Sequence, residues 1–185
     1  MNITKAAALF LVGASLSLGA CSTAPDAKDQ SRVVYNADVA LDYFTSEFPG
    51  LRSQLDRSAA YVIYPDVAQW GIVFSGGRYG RGVVARPDET QVGWGALNTA
   101  SFGLQAGIQG FRMLIIFEDE ATFRDYQDGN LNGNASAVAV AGSEGGSTTA
   151  PFIDGVAVYQ GANSGLLAGV NFGLDIMRYE ALGSR

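Results

Sequence analysis

The feature that most constrains the fold is the placement of glycine inside short β-type runs. The 24 glycines form no low-complexity tract, because from Tyr61 onward they sit within or beside apolar stretches. Glycine weakens a strand, and inside one it commonly marks a bulge, a tight bend or a close approach of two backbones. The pattern therefore predicts a strongly bent sheet and leaves open whether that sheet is barrel-like.

Short β runs account for most of the chain after residue 60. Residues 102–109 alternate apolar with small or polar side chains, as a half-buried strand does, and 113–117 are continuously apolar, as in a central strand. The other predicted strands are 61–64, 71–74, 82–85, 91–97, 137–141, 156–159 and 170–176. Eight or nine strands with few helices predict an α+β domain with a mostly antiparallel, glycine-rich sheet.

The helical patterns predict an N-terminal helix and one further short helix. In 33–48 apolar residues recur at three- and four-residue spacing, and Pro49 and Gly50 end the pattern. A weaker pattern covers 51–60, and 118–127 begins with acids, as a short helix often does. The polar face of 33–48 has carboxylates and no Lys or Arg, so core packing is favoured over a membrane-surface helix.

The first 21 residues have the pattern of a bacterial lipoprotein signal. Lys5 precedes an apolar stretch over 6–18, and Leu18-Gly19-Ala20-Cys21 closes it. This stretch is shorter than the ~20 residues that span a bilayer. A plain secretory signal would not require Cys21, the only cysteine in the sequence. We therefore predict that the chain is cleaved before Cys21 and that Cys21 is acylated, with palmitate among the attached chains. Several acyl chains on one residue anchor a protein stably.

The predicted organisation is a signal peptide over 1–20, a lipidated flexible tether over 21–32 and one domain over 33–185. The tether is inferred because 22–32 are small and polar and cannot form a core. Ser22, in place of an Asp, follows the bacterial sorting pattern for outer-membrane lipoproteins. The expected location is therefore the cell envelope, on the periplasmic side of the outer membrane.

Composition excludes several classes of function. The sequence has 12 Lys+Arg against 18 Asp+Glu and no His. An acidic chain is a poor partner for nucleic acid, which requires basic surface. Without His or a second Cys, Ser-His-Asp and Cys-His catalysis and typical zinc sites are excluded. The remaining carboxylates form no evident acid/base pair, so we expect a non-catalytic protein with membrane, and no nucleic acid, as its partner.

The order of the β segments resembles the SYLF domain family, known from eukaryotic lipid- and actin-associated proteins and from bacterial lipoproteins. The matching segments are 60–65, 71–82, 101–107 (SFGLQAG), 131–142, 158–159 and 165–170. The resemblance covers nearly everything from Val33 onward and implies a non-catalytic domain associated with membranes or lipids. Phosphoinositide binding by a basic N-terminal helix does not carry over, because helix 33–48 is acidic to neutral here. Asn134 also replaces an Asp common in the family.

The segment 76–82 (GGRYGRG) provides a candidate anion or lipid contact through Arg78, Tyr79 and Arg81. Glycine N–H groups and two guanidinium groups suit a phosphate. A phosphate cradle normally leads into a helix, however, whereas a predicted strand follows here. The favoured interpretation is a β-turn or bulge with solvated arginines.

The segment 128–133 (DGNLNG) matches the first half of a calcium loop, with Asp128, Asn130 and Asn132 as candidate ligands. Position twelve, normally a bidentate Glu, is Ala139. An Asn/Gly-rich turn is the favoured interpretation, and no cofactor other than this weak calcium candidate is expected.

Two functions follow from these features. The first is an envelope lipoprotein whose domain binds or senses lipid, with phospholipid as a candidate ligand. The second is a structural or partner-binding lipoprotein without a small ligand, which a sheet interior filled by side chains would favour.

Overall fold

The computed structural model describes residues 22–131, 149–162 and 175–184. Its elements are α1 (Ala27–Glu47), α2 (Leu51–Asp56), β1 (Ala60–Ala85), β2 (Gln91–Phe117), α3 (Glu120–Gln127), β3 (Val156–Ala162) and β4 (Asp175–Ala181). All described strand pairs are antiparallel, so the predicted α+β class is confirmed. The predicted signal peptide, Cys21 and the predicted strand 137–141 lie outside the described residues.

Strands β1 and β2 form one very long hairpin that pairs from Ala60 opposite Phe117 to Ala85 opposite Gln91. The sequence predicted three short strands in place of each, and that prediction was wrong. The register shifts between Tyr64 and Val67, between Val73 and Ser75, and between Val84 and Ala85. Pro65 and the glycines were taken as strand ends, but they are accommodated within the strands, and Pro65 lies at one of these irregularities.

The hairpin bends so sharply that the two ends of β1 touch each other. A Cβ added at Gly82 would lie 2.5 Å from the carbonyl oxygen of Ile63, and one at Gly80 would lie 3.1 Å from Cγ2 of Val67. A straight strand would hold these positions far apart, since each residue advances it by about 3.3 Å. The strong bend is therefore confirmed, and glycine permits the close approach.

The described sheet is open. β3 pairs with 111–117 of β2, and β4 pairs with 93–99 of the same strand. β2 is thus the central strand, with β1 along one side and β3 and β4 beside different halves of the other. The barrel-like alternative is not found among the described residues, because their strands form no closed sheet. The last strand also differs from its predicted range of 170–176, since β4 covers Asp175–Ala181 and 163–174 are not among the described residues.

The bent sheet has an apolar layer on each face. Helices α1 and α2 cover one face, where Phe44, Leu51 and Leu55 pack with Ile63 and Leu114. The opposite face packs against α3, and the residues buried there include Val62, Tyr64, Phe111, Phe117, Phe123 and Tyr126. Successive residues of β1 alternate between the two layers, as the two-residue period of a strand requires.

Helix α1 begins at Ala27, six residues before the predicted start at Val33. Residues 27–32 contain Ala, Lys, Gln and Arg, which favour helix, and the Arg32–Asp29 ion pair lies along this first part. The prediction of a flexible tether over 21–32 is therefore wrong for the described residues from Ala27 onward. Composition alone did not reveal this N-terminal extension of α1, because a helix can continue beyond the part that packs on the core.

Two further helices follow α1, and both are shorter than the predicted patterns 51–60 and 118–127. α2 ends at Asp56 instead of residue 60, and α3 begins at Glu120 after the capping residue Asp119. The described chain thus has three helices where an N-terminal helix and one further short helix were expected. None of the described helices combines the length and the apolar character needed to cross a bilayer.

Candidate functional site

The segment directly after Cys21 is bound to the domain by a carboxylate. Oε2 of Glu180 accepts hydrogen bonds from the backbone N–H of Thr23 at 2.9 Å and of Ala24 at 3.0 Å. The hydroxyl of Ser22 donates to the same oxygen at 3.2 Å. Thr23 and Ala24 are only 7% and 5% exposed. The predicted flexibility of the tether therefore does not hold for these residues either.

A guanidinium holds the same segment from its carbonyl side. Nη1 of Arg81 donates to the backbone carbonyl oxygens of Ser22 and Thr23. Its Nε donates to the hydroxyl of Tyr79 at 2.6 Å, and its Cζ lies 5.4 Å from the centre of the Tyr79 ring. Hydrogen bonds to ionised groups are stronger than neutral ones. We call the set Ser22–Ala24, Arg81 and Glu180 the N-terminal clamp.

The central strand places the two charged residues of the clamp together. Glu180 of β4 lies opposite Trp94 of β2, and Arg81 of β1 lies opposite Ala96. Positions 94 and 96 share one face of β2, because side chains alternate along a strand. Arg81 and Glu180 therefore lie on the two sides of β2, on the same face of the sheet. Their opposite charges both contact the segment Ser22–Ala24.

An open groove of about 450 Å³ lies beside the clamp. Its walls come from the start of α1 and from two separate parts of β1 that the bend brings together. The lining residues are Ser22, Ala24, Pro25, Asp26, Asp29, Arg32, Val33, Asn36, Pro65, Asp66, Ala68, Tyr79 and Arg81. The groove thus carries both signs of charge and one large aromatic ring.

The three residues predicted to contact an anion do not lie together at the surface. Tyr79 is 47% exposed and Arg81 is half-buried, whereas Arg78 is only 4% exposed. Nε of Arg78 donates to Oε1 of Gln69 at 3.2 Å, and its Cζ lies 5.8 Å from the centre of the Phe111 ring. The expected turn with solvated arginines was wrong, because 76–82 pair without interruption in β1.

The segment that resembles a calcium loop terminates helix α3. The N–H of Asn130 donates to the carbonyl of Asp125 at 2.8 Å, and that of Gly129 donates to Tyr126 at 3.1 Å. With Gly129 at a φ of 70°, this is a Schellman motif, which explains why glycine follows Asp128. Asn132 lies outside the described residues, and within them no group of three or more acidic or Cys side chains could hold a metal ion.

The apolar layer that packs against α3, which we call the inner layer, contains aromatic side chains in contact with one another. The hydroxyl groups of Tyr64 and Tyr126 lie 3.4 Å apart, and the ring of Tyr126 stacks on Phe117 with centroids 4.8 Å apart. Burial raises the pKa of Tyr126 well above its ordinary value. A Cβ at Gly95 would lie 2.7 Å from the Tyr126 hydroxyl oxygen. Backbone and rings are therefore in direct contact in this part of the interior.

Glu180 of the clamp and the exposed ring of Trp70 were not predicted as functional residues from the sequence. Glu180 is a single acid in a segment where no strand was predicted, so nothing linked it to residue 23. Trp70 is 48% exposed in the middle of β1, although tryptophan in an apolar run is usually a core residue. A sequence signal for Trp70 did exist, because the charged Asp66 lies four positions before it, and an even spacing places both side chains on one face of a strand.

Comparison with known curated proteins shows a distant similarity. No family model matches the chain. A curated protein of Aeromonas veronii, named Beta cell expansion factor A, is 28% identical over 151 residues, which are 80% of this chain. The chain spans 56% of the length of that relative. The resemblance to the SYLF family therefore stays a prediction.

Proposed function

We propose that this protein is a non-catalytic envelope lipoprotein, anchored through acyl chains on Cys21, whose domain binds or senses lipid at the membrane surface. The observation that carries the proposal is the N-terminal clamp. Ser22, which the predicted cleavage leaves next to the modified cysteine, is hydrogen-bonded to Glu180 and Arg81. A domain held so close to its anchor stays at the bilayer surface, because one further residue adds at most about 3.6 Å of reach.

The acyl chains do the anchoring in this proposal. With 18 Asp+Glu against 12 Lys+Arg, the protein gains little attraction from anionic lipid. Several acyl chains on one residue are sufficient for stable attachment. The proposed location is the periplasmic side of the outer membrane, and phospholipid is the proposed ligand class.

Lipid binding by the domain is tested without the anchor. The variant Cys21→Ser, prepared as residues 21–185, is mixed with phosphatidylcholine vesicles and with vesicles containing phosphatidylglycerol, and both are floated on a density gradient. Lipids that co-purify with the variant are identified by mass spectrometry. We expect bound phospholipid or weak flotation with both vesicle types. A preparation that carries no lipid and floats with neither contradicts lipid binding.

The packed inner layer favours a second function, that of a structural or partner-binding lipoprotein without a small ligand. The buried rings of Phe117, Phe123 and Tyr126 occupy space that an enclosed lipid would need. Crosslinking of the acylated protein in intact cells distinguishes the two functions. A single envelope protein crosslinked in stoichiometric amounts, together with no lipid in the flotation test, supports the second.

A further inference from the structure

We propose that the outward face of β1 that carries Trp70 and Tyr79 is the surface of the domain that contacts the bilayer, and that the N-terminal clamp holds it there. The proposal rests on acylation of Cys21, which belongs to the proposed function, and adds a fixed orientation to it. The partner is a zwitterionic phospholipid surface. We call Ala68, Trp70 and Tyr79 the aromatic face.

The first argument is the exposure of two large rings on one strand. The side chains of Trp70 and Tyr79 are 48% and 47% exposed. Tyrosine and tryptophan combine an apolar ring with a polar group, and they are enriched at the level of lipid headgroups for that reason. Single exposed apolar residues are common on protein surfaces, so their position relative to the anchor is decisive.

The second argument is that the two rings project from the same side of the molecule. Ala68 and Tyr79 line the same groove. Trp70 follows Ala68 by two residues, and the register from Val67 to Gly71 against β2 is unbroken. Side chains two residues apart in a strand point to the same face. Trp70 therefore lies on the side of β1 to which Ala68 and Tyr79 belong.

The third argument is the direct connection between this face and the anchor. Tyr79 accepts a hydrogen bond from Arg81, and Arg81 donates to the carbonyl of Ser22. Covalent geometry places the Cα of Cys21 about 3.8 Å from that of Ser22. Acyl chains on Cys21 would thus enter the bilayer beside Tyr79, with Glu180 holding the chain on its other side.

The charges around the face decide which bilayer suits it. Arg81 is engaged with two carbonyl oxygens and a hydroxyl group. The adjacent groove carries the carboxylates of Asp26, Asp29 and Asp66 and one further cation, Arg32, which pairs with Asp29. A surface on which carboxylates outnumber cations is not attracted to anionic headgroups. Contact therefore depends on the rings and the anchor, and it should not require anionic lipid.

The two tryptophans of the sequence allow a direct test. Trp70 is exposed, and Trp94 is 5% exposed on β2. The acylated mature protein, residues 21–185, is reconstituted into phosphatidylcholine vesicles whose acyl chains carry bromine near the headgroup, which quenches nearby indole fluorescence. In Trp94→Phe, we expect Trp70 to lose most of its emission and to shift to shorter wavelength. In Trp70→Phe, Trp94 should be unaffected. If Trp94→Phe does not fold, the wild-type spectrum minus that of Trp70→Phe reports Trp70.

The clamp is tested in the same vesicles with Glu180→Gln. We expect this variant to remain membrane-bound while quenching of Trp70 falls markedly, because Thr23 and Ala24 lose their charged acceptor. Glu118→Gln, a change of the same chemistry at an exposed position before α3, should leave quenching unchanged. Unaltered quenching in Glu180→Gln contradicts the role of the clamp.

The outcomes separate this proposal from the one on which it rests. An N-terminal peptide without acyl chains contradicts the proposed function. Acylated, vesicle-bound protein in which Trp70 is unquenched and still accessible to acrylamide in water overturns the aromatic face alone. Quenching that appears only when phosphatidylglycerol is added overturns the zwitterionic partner.

Discussion

At the residue scale, two glycines allow the two ends of β1 to approach each other, because neither has a side chain. Gly82 faces the backbone of Ile63, and Gly80 faces the end of the Val67 side chain. A backbone oxygen cannot move aside without disturbing its strand, whereas a valine methyl can shift a little. The sequence shows the glycines but not their partners, because those partners lie elsewhere in the same strand.

Gly82→Ala should lower the free energy of unfolding by about 1–3 kcal/mol, because its Cβ would lie 2.5 Å from the carbonyl oxygen of Ile63. Gly80→Ala is the matched control on the same face of β1, and it should cost clearly less. Urea unfolding followed by circular dichroism measures both. Equal losses in the two variants would contradict the close approach.

Burial raises the pKa of Tyr61 to about 12, and Glu89 adds to the shift. The unfolded side chain titrates near 10, so the folded state binds the proton more tightly between these values. The contribution of Tyr61 to the free energy of unfolding should therefore be constant below pH 10 and fall by about 2 kcal/mol as pH rises toward 12. Tyr61→Phe should make the alkaline loss of stability smaller by that amount, as urea titrations at several pH values would detect, while Tyr126 and Tyr159, whose pKa values burial also raises, keep their share. Tyr35→Phe, at a position that is 67% exposed, should leave it unchanged.

At the scale of elements, the sequence was sufficient for the class of fold and insufficient for the bounds of its parts. Alternation and glycine content predicted an antiparallel, bent sheet because both are local properties. Pro65 was misread as a strand end, since whether a proline ends a strand or sits in an irregularity depends on the partner strand. The predicted start of helix α1 was six residues too late, because Ala27–Arg32 lack a regular apolar stripe although their residue types favour helix.

Helix α3 depends on its cap. The carboxylate of Asp119 accepts hydrogen bonds from the N–H of Thr122 at 2.8 Å and from its hydroxyl at 3.1 Å, and these bonds lower the pKa of Asp119. Asp119→Ala should reduce the urea midpoint at neutral pH. Because the pKa is lowered, the contribution is present above the ordinary pKa of an aspartate and is lost as pH falls through the lowered value. The difference from wild type should therefore shrink in acid. Glu118→Ala, one residue earlier, should have little effect at any pH.

At the scale of the whole molecule, the N-terminal clamp joins the two ends of the described chain. Glu180 lies in the last strand and binds residues 22–24, and Arg81 in β1 completes the contact. This contact could not be predicted, because 157 residues separate Thr23 from Glu180 and neither carries a recognisable motif. The lipoprotein signal at Cys21, by contrast, could be proposed from the sequence, because the pattern Leu18-Gly19-Ala20-Cys21 is local.

Removing the carboxylate should loosen the N-terminus. Glu180→Ala leaves the N–H groups of Thr23 and Ala24 without their acceptor, so we expect a loss of about 1–3 kcal/mol in the free energy of unfolding. Hydrogen exchange at those two amides should accelerate while the amides of β3 stay protected. Unchanged exchange at Thr23 would contradict the clamp.

The central claim is that the clamped N-terminus carries the membrane anchor. The full-length protein, produced in a Gram-negative bacterium and extracted from its membranes, is digested, and the mass of its N-terminal peptide is measured. We predict a peptide that begins at Cys21 and carries a diacylglyceryl group and an amide-linked fatty acid. A peptide that begins at any other residue, or an unmodified Cys21 in the membrane fraction, would contradict the account.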